Sequence, residues 1–66
     1  MALYRHFKGG IYEMMGIGTQ TETKEEMVIY KSSETGKLFV RNKEMFFNNV
    51  LLDGIEVPRF KLMGDD

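Results

Sequence analysis

Apolar and polar positions along this 66-residue chain alternate in short runs, and no window of about 11 residues keeps a helical apolar spacing. The pattern predicts strands separated by glycine and polar turns. The first strand is expected over Gly10–Gly18, where Tyr12 and Met14 alternate against Ile11, Glu13, Met15 and Ile17. The pairs Gly9/Gly10 and Gly16/Gly18 bracket it, and glycines inside a strand mark a bulge or a sharp coil. Residues 19–26 hold no apolar side chain and predict an exposed loop or hairpin tip. Met27–Lys31 is rich in β-branched and aromatic residues and reads as a second strand, Ser32–Lys37 as a turn and Leu38–Arg41 as a third strand. Asn42–Phe47 has the look of one helical turn with Asn42 as its N-cap.

The sharpest local expectation concerns Val50–Val57, two apolar runs joined by Asp53-Gly54, a two-residue hairpin signal. That turn sets Leu52 opposite Ile55 and Val50 opposite Val57 on one face, with Leu51 and Glu56 on the other. The four residues Val50, Leu52, Ile55 and Val57 are the expected core. Unbroken parity would send Arg59 and Lys61 inward, so a bulge or break is expected at Pro58, returning Phe60 and Leu62 to the core. Five short strands with one helical turn before the last hairpin predict an all-β fold. Its architecture would be a small, strongly bent five-stranded barrel in which the first and last strands close on each other.

The ordered set Tyr4-Arg5-His6-Phe7-Lys8-Gly9, Tyr12, Glu22-Thr23 with Glu26, Val28-Ile29-Tyr30, Phe39-Val40-Arg41, Met45-Phe46, Gly54 and Val57-Pro58-Arg59-Phe60 resembles the family known as domain of unknown function 1653. The resemblance runs from Tyr4 to about Met63 and rests most on its two end motifs, Tyr-Arg-His-aromatic-Lys-Gly and Val-Pro-Arg-Phe. It implies a small Src-homology-3-like barrel and no activity. Departures stand at Asn42, where proline is more usual, and at Phe39, where tryptophan is common. Ser32-Ser33 replaces a stretch that usually carries an aromatic.

Composition narrows the classes. A chain this short forms one domain, here residues 1–66 with an ordered part over about 4–63, and buries only about 60% of its unfolded surface. Without cysteine it has no disulfide framework and no thiolate zinc site, so it depends on a tightly packed core or on self-association. Absent cysteine, an N-terminus that meets charge at Arg5 and the lack of a membrane-length apolar run together predict a cytosolic protein. The net charge of −1 excludes a chain-wide nucleic-acid footprint, so any basic site must be local.

His6 is the only histidine, flanked by Arg5 and Phe7, and no nucleophile or second carboxylate is marked beside it. Gly16-Ile17-Gly18 lacks the third glycine and following helix of a dinucleotide loop, and Glu22, Glu25 and Glu26 lack calcium-loop spacing. No enzyme activity, metal or cofactor is therefore expected. The six methionines suit adaptable core filling. Phe46, Phe47 and Phe60 are expected in the core, and Tyr4, Phe7 and Tyr12 serve packing before binding. Arg41 and Arg59 each sit beside a core aromatic, placed to stack on a ring or to hold a carboxylate such as Glu44.

Two function classes remain. One is a binding module presenting Tyr4, Arg5, His6, Phe7, Lys8, Tyr30, Arg41 and Arg59 to a peptide, a small anionic ligand or single-stranded nucleic acid, the last disfavoured by net charge. The other is a structural protein that pairs through an edge strand with itself or a larger partner. The expected state is a monomer or weak homodimer away from membranes.

Overall fold

The computed structural model describes residues 2–65. Seven strands and one short helix follow in the order β1 (Ala2–His6), β2 (Ile11–Thr19), β3 (Glu26–Ser32), β4 (Leu38–Asn42), α1 (Lys43–Phe46), β5 (Asn49–Leu52), β6 (Ile55–Pro58) and β7 (Phe60–Asp65). The fold is all-β. Five strands form one antiparallel sheet in the order β4-β3-β2-β1-β7, and β5-β6 form a separate two-stranded sheet. The large sheet does not close into a barrel: β4 and β7 remain its two edges.

Tyr4–His6 belongs to a strand that the sequence pattern did not mark, because β1 is short and its partners lie far apart in sequence. On one side it pairs with β2, and on the other with β7, where Tyr4 meets Leu62 and His6 meets Phe60. Only this non-local pairing makes β1 a central strand. The register slips by one residue in β2 at Met15, between the pairs Met14↔Tyr30 and Gly16↔Ile29. A second slip falls at Met63 on β7. Each is a bulge of the kind the strand glycines foretold for β2.

Alternation through these registers places Tyr4, His6, Tyr12, Met14, Val28, Tyr30, Phe39, Arg41 and Phe60 on one face. Helix α1 carries Phe46 onto that face. Val28, Tyr30, Phe46 and Phe60 are the buried core, with Tyr4, Tyr12 and Met14 packed against them. Phe46 and Phe60 stack at 4.1 Å with planes 6° apart, and Tyr30 meets both at 5.3 Å edge-on. Such pairs add about 0.5–1.5 kcal/mol each beyond burial of area. Asn42 caps α1 as its sequence position indicated, its side chain accepting from the amides of Glu44 and Met45 at 2.8 and 3.4 Å. Gly10 has a steric reason, since a Cβ there would lie 2.9 Å from Cε1 of Tyr12.

The hairpin forms with the expected register, Leu52↔Ile55 and Val50↔Val57, over a turn in which Asp53 and Gly54 both take positive φ. Its burial differs from expectation. Val50 and Val57 are only half-buried, while Leu52 and Ile55 are 43% and 66% exposed. The cause is topological: β5-β6 is its own sheet, so the shared face of the hairpin does not reach the aromatic layer. The chain does break at Pro58, which ends β6 before β7 joins β1. Phe60 enters the core, but Leu62 and Phe47, 55% and 47% exposed, do not. Leu62 lies on the edge strand β7 two residues beyond Phe60, paired with Tyr4.

Candidate functional site

Where β1 ends, the chain turns through Phe7–Gly10, with the amide of His6 donating to the Gly10 carbonyl and that of Gly9 to the His6 carbonyl, both at 2.7 Å. Arg59, between β6 and β7, locks this turn to the hairpin base. Its carbonyl accepts from the Phe7 amide at 2.9 Å and its own amide donates to the Asn48 carbonyl at 3.0 Å. Its Nε donates to Asn48 Oδ1 at 2.9 Å. Arg41, on edge strand β4, reaches across the opening of the sheet. Its Nε donates to the Tyr30 hydroxyl at 3.4 Å, and its guanidinium carbon lies 5.9 Å from the Phe60 ring centre. Arg41 thus makes the expected ring contact, whereas Arg59 bonds an amide side chain and backbone instead of a ring or a carboxylate, and neither holds Glu44. In each the terminal guanidinium nitrogens make no hydrogen bond to the described residues.

His6 stands among these cations and a set of rings, with Phe7 at 4.6 Å and Phe60 at 4.9 Å. Its Nδ1 accepts from the Lys8 amide at 3.1 Å, which leaves Nε2 to carry the proton of the neutral ring. Burial lowers its pKa below the ordinary 6.5, and the charges of Arg41, Arg59 and Lys8 lower it further. The ring is therefore neutral at pH 7, a donor beside three permanent cations. Lys8 itself is exposed, its ammonium 5.7 Å from the Phe7 ring.

Of the residues singled out in sequence, His6, Phe7, Lys8, Arg41 and Arg59 come together at this end of the sheet. Tyr30 lies beneath them as a buried support for Arg41. Tyr4 packs at the helix end, 5.2 Å from Phe46 and 6.2 Å from Phe47. Arg5 faces the other way, since alternation puts it on the opposite side of β1. There it borders a cleft of about 300 Å³ with His6, Phe7, Lys61, Leu52, Val57 and Pro58, in the elbow between hairpin and sheet. Sequence reasoning missed Lys61, whose place opposite Arg5 follows only from the β1–β7 pairing.

A smaller hollow of about 130 Å³ lies between Glu25, Glu26, Asn42, Lys43 and Glu44. Most of its charges are internally engaged: Lys43 pairs with Glu26 at 3.6 Å, and the Asn42 amide donates to the Glu25 carboxylate. Among the described residues no group of three histidine or acidic side chains is placed to hold a metal ion. Nor is any described helix long and apolar enough to cross a membrane.

These features define a small all-β domain with an open five-stranded sheet, an aromatic inner layer and a cationic end. The chain belongs to the DUF1653 family, described as proteins of unknown function, which matches residues 2–62. It matches no curated protein and no solved structure.

Proposed function

We propose that this protein is a small cytosolic binding module that takes an anionic ligand at the end of the sheet where Lys8, Arg41 and Arg59 surround His6. The observation that carries the reading is this convergence of positive charge on a half-buried imidazole whose pKa burial and then these charges lower, with aromatic rings rather than carboxylates as the neighbours. Gathering like charge costs stability, and an anion would offset that cost. Neutral His6 adds a donor, the arginines add unengaged terminal nitrogens, and Phe7 adds a ring for an apolar or base-like part of the ligand. A binding role is favoured over a catalytic one because cations and rings surround His6, where a base would need a nucleophile or acid partner. Kinship with Src-homology-3-like barrels belongs to the same reading, supported by the placement of β1 between β2 and the last strand.

A second reading is assembly through an edge strand, favoured by β4, an unpaired edge whose Leu38 and Val40 are 62% and 60% exposed. One experiment separates the two: amide NMR titration with pooled single-stranded oligonucleotides, anionic metabolites and proline-rich peptides, at low and physiological salt. Shifts clustered on His6, Lys8, Arg41 and Arg59 that weaken with salt are expected. Shifts confined to Leu38–Arg41 that grow with protein concentration would replace binding with assembly. No clustered shift from any pool would overturn the binding reading.

A further inference from the structure

On the other face of β1, Arg5 and Lys61 stand directly opposite each other across the β1–β7 ladder. Both are exposed, and among the described residues no carboxylate forms an ion pair with either. Like charges in that relation destabilise a sheet, so the pair works against folding. It also sits at the cleft of about 300 Å³, whose opposite wall is apolar and comes from Leu52, Val57 and Pro58. The hairpin, which the core leaves outside, finds here a use for two residues of its shared face.

We infer that this elbow binds an amphiphilic anion, its carboxylate or phosphate on Arg5 and Lys61 and its apolar body against Leu52, Val57 and Pro58. The volume lies at the small end of the range for ligand sites, roughly 300–1,000 Å³, which limits the body to a medium-length acyl chain or a single ring. Two cations give the head group charge-assisted hydrogen bonds at a rim open to solvent, while the wall removes the tail from water. The cleft adjoins the His6 end, since His6 and Phe7 also line it, but its cations Arg5 and Lys61 are not those of that end, Lys8, Arg41 and Arg59.

The test is an amide NMR titration of the labelled protein with octanoate, and with acetate and hexanol as the head and tail alone. Octanoate should shift Arg5, Leu52, Val57 and Lys61 and bind at least about tenfold more tightly than acetate, since each buried methylene contributes about 0.8 kcal/mol. Lys61→Gln, a change at an exposed side chain, should weaken octanoate about tenfold, as loss of a charged hydrogen bond does, and leave hexanol unchanged. Equal affinity for octanoate and acetate would overturn the inference, as would an unaltered octanoate affinity in Lys61→Gln. Octanoate shifts on Lys8, Arg41 and Arg59 alone would remove this site while leaving the His6 reading intact.

Discussion

The five-stranded sheet with its helix and the β5-β6 hairpin are built from equally apolar sequence, yet only the first is a core. In the sheet, alternation aims Tyr12, Tyr30 and Phe60 from three strands at one point, and α1 closes over them with Phe46. In the hairpin, alternation works as well, but the face it makes meets a cleft and solvent, with Leu52 at 43% exposure and Ile55 at 66%, while Leu51 on the other face is 74% exposed. Amphipathic pattern creates a buriable face. Topology decides whether anything buries it, and here the break at Pro58 sends the chain on to pair with β1 instead of extending the hairpin.

The largest effect expected from this contrast is between Phe46→Ala and Leu51→Ala. Phe46 is fully buried, and truncating such a ring costs about 3–5 kcal/mol. A 66-residue domain has roughly 3–10 kcal/mol in all, so the variant should lose a third or more of its stability and unfold at much lower urea. Leu51→Ala should change stability by no more than about 0.5 kcal/mol. Urea unfolding followed by circular dichroism measures both. A costly Leu51→Ala would break the comparison and show that something covers the hairpin in solution.

Legibility in the sequence divides along the same line. Short-range features were readable because their causes are short-range: Asp53-Gly54 fixes its own turn, Asn42 caps its own helix, and Pro58 ends its own strand. The burial of Phe60 was readable because a charged alternative at Arg59 or Lys61 is worse. The core as a whole was not, since choosing the aromatic layer over Val50, Leu52, Ile55 and Val57 requires the pairing of β1 with β7, nearly the full chain apart. For the same reason the candidate cations were identified one by one but not sorted. His6, Lys8, Arg41 and Arg59 share an end only once β4 and β7 are set as edges, and Arg5 parts from them only once β1 is known to be a strand.

A smaller, local effect should follow at the hairpin turn. Gly54 has φ +78 with open space around its α-carbon, so Gly54→Ala meets backbone strain and no clash. A non-glycine residue in that region costs about 1–2 kcal/mol. Because little of the hairpin packs on the sheet, amide NMR shifts should move within residues 49–58 and stay in place around Tyr30 and Phe60. Shifts spreading through the aromatic layer would mean that hairpin and sheet are one cooperative unit rather than two.

The smallest effect bears on the cationic end. Folding lowers the pKa of His6 below 6.5, so between those two values the unfolded chain holds more protons than the folded one. The stability that depends on neutral His6 is therefore complete above about pH 6.5 and is lost as the pH falls toward and through the folded value. Carboxylates titrating in the same range are shared by wild type and His6→Gln, so the difference between their unfolding free energies isolates this contribution. That difference should be flat above about pH 7 and should turn against the wild type below about pH 6. Burial acts on His6 whatever is bound, whereas Arg41, Arg59 and Lys8 act only while their charge is uncompensated. Inorganic phosphate seated among these cations should therefore raise the His6 pKa, read from its ring proton shifts, and salt that does not bind there should not raise it to the same degree. A His6 pKa indifferent to phosphate would leave burial as the whole cause and remove the charge convergence on which the binding reading rests.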